Sequence, residues 1–279
     1  MLESQKVEKE KFIDIDKVIA SKNPRLLKIL PRFIINYLKR IIHQNEINEI
    51  LEKHGDKTGV AFIDEVLKVM CVTYTVEGLE NVDLNGNYIF ASNHPLGGLD
   101  GMILIHLLGK KFPEVKFPVN DLLMHITQLH NVFIPVNKHG AQSTQNAQLI
   151  EDAYTSSSQI LYFPAGLCSR KQHGSIVDLE WKKNFIRKSV KHERDVVPVF
   201  FTGQNSKFFY NLARLRTSLG IKANLEMLYL VDEMFKQKGK RISIKIGKPI
   251  PYQTFDNSRT PLSWAAWVKN IVYQMQTKK

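Results

Sequence analysis

Nine residues, Ser92-Asn93-His94-Pro95-Leu96-Gly97-Gly98-Leu99-Asp100, join an apolar run, Tyr88-Ile89-Phe90-Ala91, to a helix-like one beginning Met102-Ile103-Leu104-Ile105. A histidine and a carboxylate therefore fall on a glycine-bearing turn between a strand and a helix. Catalytic groups concentrate on such short loops because a rigid scaffold aims them. An imidazole needs a partner to fix which ring nitrogen carries the proton, and an aspartate six positions further on can be that partner. The pair can then act as a general base: His94 takes a proton from a hydroxyl or a water while Asp100 orients the ring. The competing reading is structural, with Asp100 capping the helix beside a surface histidine.

Three further blocks follow in order: Asn131-Val132-Phe133-Ile134-Pro135-Val136, then Phe163-Pro164-Ala165-Gly166-Leu167-Cys168-Ser169-Arg170, then Val197-Pro198-Val199-Phe200. With the His94–Asp100 box they resemble the sequence blocks of the lysophospholipid acyltransferase superfamily. Members of that family acylate glycerol 3-phosphate, lysophosphatidate and related lyso-lipids. Asp178 to Phe185 and Ile246 to Pro251 also resemble family segments, so the likeness covers about residues 75 to 255. It implies direct acyl transfer from a thioester, with His94 as base and Asp100 as its partner. It also implies substrate-binding positions at Asn93, Gly97, Gly98, Pro164, Gly166, Ser169, Arg170 and Lys171, with Gly166 and Arg170 bordering the acceptor. Backbone N–H groups of Gly97, Gly98 or the helix start near Gly101 would face the oxyanion. Acyl-CoA or acyl carrier protein would be the co-substrate, and neither a metal nor a cofactor is implied.

The departures from the family pattern are informative. Asp100 lies one position later than in the common form, and Gly97-Gly98 can absorb the extra residue because glycine tolerates positive φ. In the third block, which binds glycerol and phosphate in the family, Ala165 stands in place of a glutamate and Cys168 in place of an arginine. A guanidinium suits phosphate through its bidentate donor fork. Arg170 and Lys171 are the cations left to compensate. This variant of the block resembles the branch that O-acylates lyso-aminolipids such as lyso-ornithine or lyso-glycine lipid, whose acceptor hydroxyl sits on an acyl chain. The alternatives are a 1-acylglycerol-3-phosphate acyltransferase, or a thioester or ester hydrolase using the same base on water.

The remaining chain has to carry these loops. Its 279 residues are enough for one large α/β domain and a helical extension. Residues 1–72 read as helical. Leu26-Leu27, Leu30, Phe33-Ile34, Leu38 and Ile41-Ile42 recur at helical spacing with basic residues between them, and Pro31 should kink or restart the helix. That face either lies in a membrane interface or packs on the catalytic domain. From residue 73 to 279 the pattern alternates. Strands are expected over 73–77, 87–92, 115–118, 131–136, 159–163, 196–201 and 241–246. Helices are expected over 100–110, 120–128, 141–157, 180–192, 206–218, 225–237 and 261–276. Alternation of this kind implies a mainly parallel sheet flanked by helices on both faces. Two of the blocks then fall at the carboxyl ends of strands, where open α/β sheets bind ligands.

Charge and composition narrow the partners. The formal net charge is +12, with basic clusters at Arg187-Lys188-Lys191-Arg194, Arg214-Arg216-Lys222 and Lys236-Lys238-Lys240-Arg241. No nucleic-acid-binding module is recognisable. The charge fits an anionic membrane surface or an acidic carrier protein. The first 20 residues are charged throughout and no stretch of 18 apolar residues exists, so the expectation is peripheral attachment to the cytoplasmic face of the membrane. Two cysteines, Cys71 and Cys168, exclude a disulfide framework. Cys168 with nearby His173 is a minor alternative as a nucleophile. His125, His130 and His139 match no metal-ligand spacing. Gly97 to Gly101 lacks the order of a dinucleotide loop. The run Phe208-Phe209-Tyr210 reads as core packing or an acyl-chain wall, and Lys182-Lys183 as a solvated face or an anion contact.

Overall fold

The computed structural model describes residues 12–120, 123–136, 144–172 and 174–276; His139, His173 and the start of the helix expected over 141–157 lie outside them. The chain divides after Asp56 into two compact units.

Among its described residues the first unit carries α1 (Ile15–Lys22), α2 (Pro24–Ile29), α3 (Arg32–Ile41) and α4 (Gln44–His54). Local chemistry fixes the boundaries. Asp14 accepts from the Asp16 and Lys17 amides to cap α1, and Asn23 caps α2 with Pro24 in the first turn. Pro31 restarts the chain between α2 and α3, as expected. Asn48 on α4 clasps the Ile13 backbone at 2.8 Å through both ends of its amide. Ile15, Ile35, Ile41 and Ile50 supply the buried apolar residues of this unit.

The helix α5 (Gly59–Val69), read above with the N-terminal extension, is part of the second unit. Its buried side chains Phe62, Ile63, Val66 and Leu67 accompany packing on α6 (Gly98–Gly109). The strands of this unit are β1 (Thr73–Glu77), β2 (Tyr88–Ser92), β3 (Val115–Val119), β4 (Phe133–Pro135), β5 (Gln159–Tyr162), β6 (Arg170–Gln172), β7 (Ser175–Val177), β8 (Asp195–Phe201) and β9 (Arg241–Ile246). Seven of them form one sheet in the order β1-β9-β8-β2-β5-β3-β4, while β6 and β7 make a separate hairpin. Every neighbouring pair in the large sheet is parallel except β8 and β9. Those two run antiparallel because residues 202–240 leave and re-enter at the same edge of the sheet. The helices of this region are α7 (Thr144–Thr155), α8 (Asn184–Lys191), α9 (Lys207–Ser218), α10 (Leu230–Phe235) and α11 (Pro261–Gln274).

The sheet is mainly parallel and flanked by helices, as the alternation implied. Strand β2 is buried along its whole length and β8 at six of its seven residues, which accounts for their continuous apolar sequence. Two expected helices differ. Residues 123–129 form two 3-10 turns, and 225–237 divides into a 3-10 turn, Leu225–Tyr229, followed by α10. One expected basic cluster is largely structural. Arg194 is 1% exposed, and its guanidinium donates to the carbonyls of Tyr154 and Ser158 at 2.7 Å. Lys188 and Lys191 both pair with Glu151.

Candidate active site

Three adjacent parallel strands, β8, β2 and β5, release their chains at one edge of the sheet. The loop after β2 carries His94, and the loop after β5 carries residues 163–169. Register brings them side by side, since Ala91 pairs with Tyr162 and Ser92 with Val199. Asn93 welds the first loop to the end of β8: its Nδ2 donates to the Phe201 carbonyl at 3.0 Å and its Oδ1 accepts the Phe201 amide at 2.7 Å. Both ends of the amide are therefore occupied. Asn93 clamps the His94 loop to the end of β8.

Asp100 stands in the first turn of α6 and is fully buried. Its Oδ2 accepts the Leu96 amide at 2.7 Å and lies 3.2 Å from His94 Nδ1. The turn that makes this possible needs glycine. Gly97 has φ +72° and ψ −129°, and a Cβ there would come within 3.2 Å of both Cys168 Sγ and Leu230 Cδ2. The extra residue between His94 and Asp100 is thus absorbed at Gly97. The His94 ring stacks on Phe163 with centroids 4.2 Å apart and planes 26° apart. Its side chain is 17% exposed against 0% for Asp100, so the histidine is the member of the pair that a substrate can reach.

The electrostatics of the ring are set by its burial and by two neighbours. Burial opposes charge on His94, but Cys168, within hydrogen-bonding reach, and Asp100 outweigh it and hold the histidine above its ordinary range. Burial pushes Asp100 up from the usual carboxylate range, against the opposing pull of His94 and the Leu96 amide. Asp100 Oδ1 has no hydrogen-bond partner among the described residues. The first turn of α6 begins beside this pair, and the positive end of a helix dipole favours an oxyanion there.

The backbone of His94 is held by a second, buried carboxylate that the sequence reading did not single out. Asp178 accepts the His94 amide at 3.2 Å, the Ser169 hydroxyl at 2.6 Å and Trp181 Nε1 at 2.8 Å. The Ser169 amide donates to the His94 carbonyl at 2.8 Å, tying the two loops together. Ser169 is 1% exposed, and its hydroxyl is engaged by Asp178. Only its place in the Asp178–Phe185 segment hinted at Asp178.

Arg170 differs most from expectation. It is buried, with Nη1 on the Cys168 carbonyl at 2.6 Å and Nη2 on Glu226 Oε1 at 2.8 Å. Its guanidinium lies 5.1 Å from the centroid of Phe209. Glu226, fully buried, also takes Arg216 Nε at 2.9 Å. The fork expected to border the acceptor is consumed by this triad. Pro164 is buried and its carbonyl accepts the Lys182 amide at 3.0 Å, so it too is part of the frame. Gly98, Gly166 and Lys171 are the expected substrate positions that remain exposed. Gly166 has φ +65°, and a Cβ there would sit 3.5 Å from Lys182 Nζ. Glu226 had a sequence signal that was missed: it is the one acidic residue between 207 and 228, in a stretch holding four basic ones.

A reachable imidazole beside a buried carboxylate, with a helix start next to it, has the groups that base catalysis on a hydroxyl requires. The sequence model of the family described as Acyltransferase matches residues 17–276, and the chain belongs to that family. It is an enzyme of the acyltransferase class. Two relatives are each named lyso-glycine lipid O-acyltransferase. One, from Bacteroides thetaiotaomicron, is 50% identical over 265 residues, covering 95% of this chain and 97% of the relative. The other, from Phocaeicola vulgatus, is 48% identical over 95% of both. Among solved structures, the 1-acyl-sn-glycerophosphate (LPA) acyltransferase of Thermotoga maritima covers 95% of both chains at 18% identity and a TM-score of 0.47.

Proposed function

We propose that this acyltransferase moves a fatty acyl group from a thioester, carried by CoA or by acyl carrier protein, to the free hydroxyl of a lyso-glycine lipid. The observation that carries the acceptor is the 50% identity to a lyso-glycine lipid O-acyltransferase over nearly the whole of both chains. The chemistry of the site agrees with an acceptor lacking phosphate. Ala165 and Cys168 offer no charge, and Arg170 is committed to Glu226. A phosphate dianion brought in here would be desolvated without a bidentate partner, which is costly.

In this mechanism Asp100 faces Nδ1 of His94, so the opposite ring nitrogen, Nε2, takes the proton of the acceptor hydroxyl. The oxygen attacks the thioester carbonyl, the oxyanion forms beside the start of α6, and collapse expels the donor thiolate. The imidazolium gives its proton to that thiolate, which leaves as the free thiol. Proximity and base catalysis suffice because a thioester is already an activated acyl group. Asp178, Ser169 and Phe163 keep the ring in place through the transfer.

The test is a competition between acceptors at one donor. Lyso-glycine lipid and lysophosphatidate with matched chains should differ by at least about tenfold in kcat/KM, roughly 1.4 kcal/mol of transition-state binding, in favour of the first. Equal or better use of lysophosphatidate overturns the acceptor. Release of free fatty acid at the same rate with and without acceptor would make the protein a hydrolase.

A further inference from the structure

Helix α9 has two apolar faces, and only one meets the core. Phe209, Tyr210 and Ala213 are buried. Phe208, Leu212, Leu215 and Leu219 recur at helical spacing and form a second stripe on another side, with Phe208 48%, Leu215 56% and Leu219 64% exposed. The chain then turns at Gly220 and presents Ile221, Leu225 and Leu228, also exposed. Elsewhere among the described residues of the second unit exposed large apolar side chains are scattered singly, which is ordinary, whereas a contiguous patch marks an interaction surface.

Charge identifies the partner. Lys207, Arg214 and Lys222 are exposed across the same segment. Its one acid, Glu226, is fully buried between Arg170 and Arg216. Every solvent-facing charge from 207 to 228 is therefore positive, interleaved with leucine and phenylalanine, which is the composition that binds an anionic bilayer surface. The patch also adjoins the site. Phe209 and Tyr210, on the buried face of α9, pack on Cys168, and Leu230, just past the patch, lies against Gly97.

We propose that residues 207–228 form a hairpin that docks on the anionic membrane surface and delivers the acceptor from the bilayer to His94. The direct consequence is that lipid-embedded acceptor reaches the site without crossing water. This rests on the lipid acceptor proposed above, so the test reads binding separately from turnover.

A Leu219→Trp protein is mixed with acceptor-free vesicles of phosphatidylglycerol and phosphatidylcholine, and its emission is compared with that of the parent protein. The added tryptophan should shift to the blue and be quenched by brominated acyl chains, because position 219 enters the interface. No shift at vesicle concentrations that bind the protein overturns the proposal whatever the acceptor is. Second, Leu215→Glu/Leu219→Glu should lose about tenfold or more in turnover of vesicle-embedded acceptor while staying within about twofold on acceptor dispersed in detergent micelles. Equal loss in both presentations, with vesicle binding intact, would make the surface a dock for a protein donor and also overturn the proposal. A wrong acceptor would abolish the turnover comparison and leave the tryptophan result standing.

Discussion

A histidine is a base only while its ring is neutral, and the surroundings of His94 favour the charged ring. Burial pulls the other way, but Cys168 and Asp100 prevail and raise its pKa above the usual histidine range. The sign follows directly: the working form accumulates as pH rises through that raised value and is lost as pH falls. The acid limb of kcat/KM should therefore have its midpoint above the roughly 6.5 of an ordinary histidine. Asp100→Asn should move that limb towards lower pH, because the carboxylate that favours the imidazolium is gone. A limb that stays in place in the variant would remove Asp100 from any part in tuning the base. His94→Ala should reduce turnover by about 10² to 10⁴, measured on protein shown to be folded by its thermal transition. Asp100→Asn should lose less, by misorienting the ring. Folded His94→Ala protein with near-parental turnover would end the mechanism. At this scale the sequence placed His94 and Asp100 on one strand-to-helix turn, which the structure closes to 3.2 Å; their roles came from the family resemblance. Asp178 was not legible, because a carboxylate that holds a backbone amide 84 positions away has no local pattern.

Elements explain why some expected contacts became frame. Alternation of strand and helix gave the positions of most sheet strands to within two residues, since period and burial are local properties. It could not reveal the reversal of β9 or the β6–β7 hairpin, which depend on where 202–240 and 170–177 lead the chain. Nor could it assign α5, whose amphipathic pattern suits either unit. The hairpin changes the meaning of Arg170. As a free cation after the third block it read as an acceptor contact; on β6, beside α9, it meets Glu226 and Phe209 inside the protein. Removing the carboxylate leaves two guanidinium groups partly buried without their partner. Glu226→Gln should therefore cost about 3–5 kcal/mol, read as a lower urea midpoint. Glu226→Gln/Arg170→Met/Arg216→Met should recover much of that loss, because charged partners replaced together leave no orphan. A single variant as stable as the parent would show that the triad contributes little to the fold.

For the whole molecule the relevant quantity is the distribution of charge. Part of the net charge of +12 is internal: Arg170 and Arg194 are buried, Arg216 is tied to Glu226, and Lys188 and Lys191 are paired with Glu151. Part of it is displayed beside apolar side chains. In the first unit Leu26, Ile29 and Phe33 are exposed, Ile29 and Phe33 by more than 70%, and Arg25, Lys28 and Arg32 alternate with them. Among the described residues no helix is long and apolar enough to cross a membrane. In the membrane docking proposed above, charge and shallow insertion would act together, each adding to the other. Binding to anionic vesicles should then weaken steeply with added salt, because the Debye length falls from about 10 Å at 0.1 M to about 3 Å at 1 M. A residue of binding should persist at high salt from the inserted side chains. Ile29→Ser/Phe33→Ser should remove much of that residual part while leaving the salt-sensitive part in place, which flotation at two salt concentrations separates. Binding unaffected by salt would mean that insertion alone holds the protein. Absence of binding at every salt concentration would require the acceptor to reach His94 from solution.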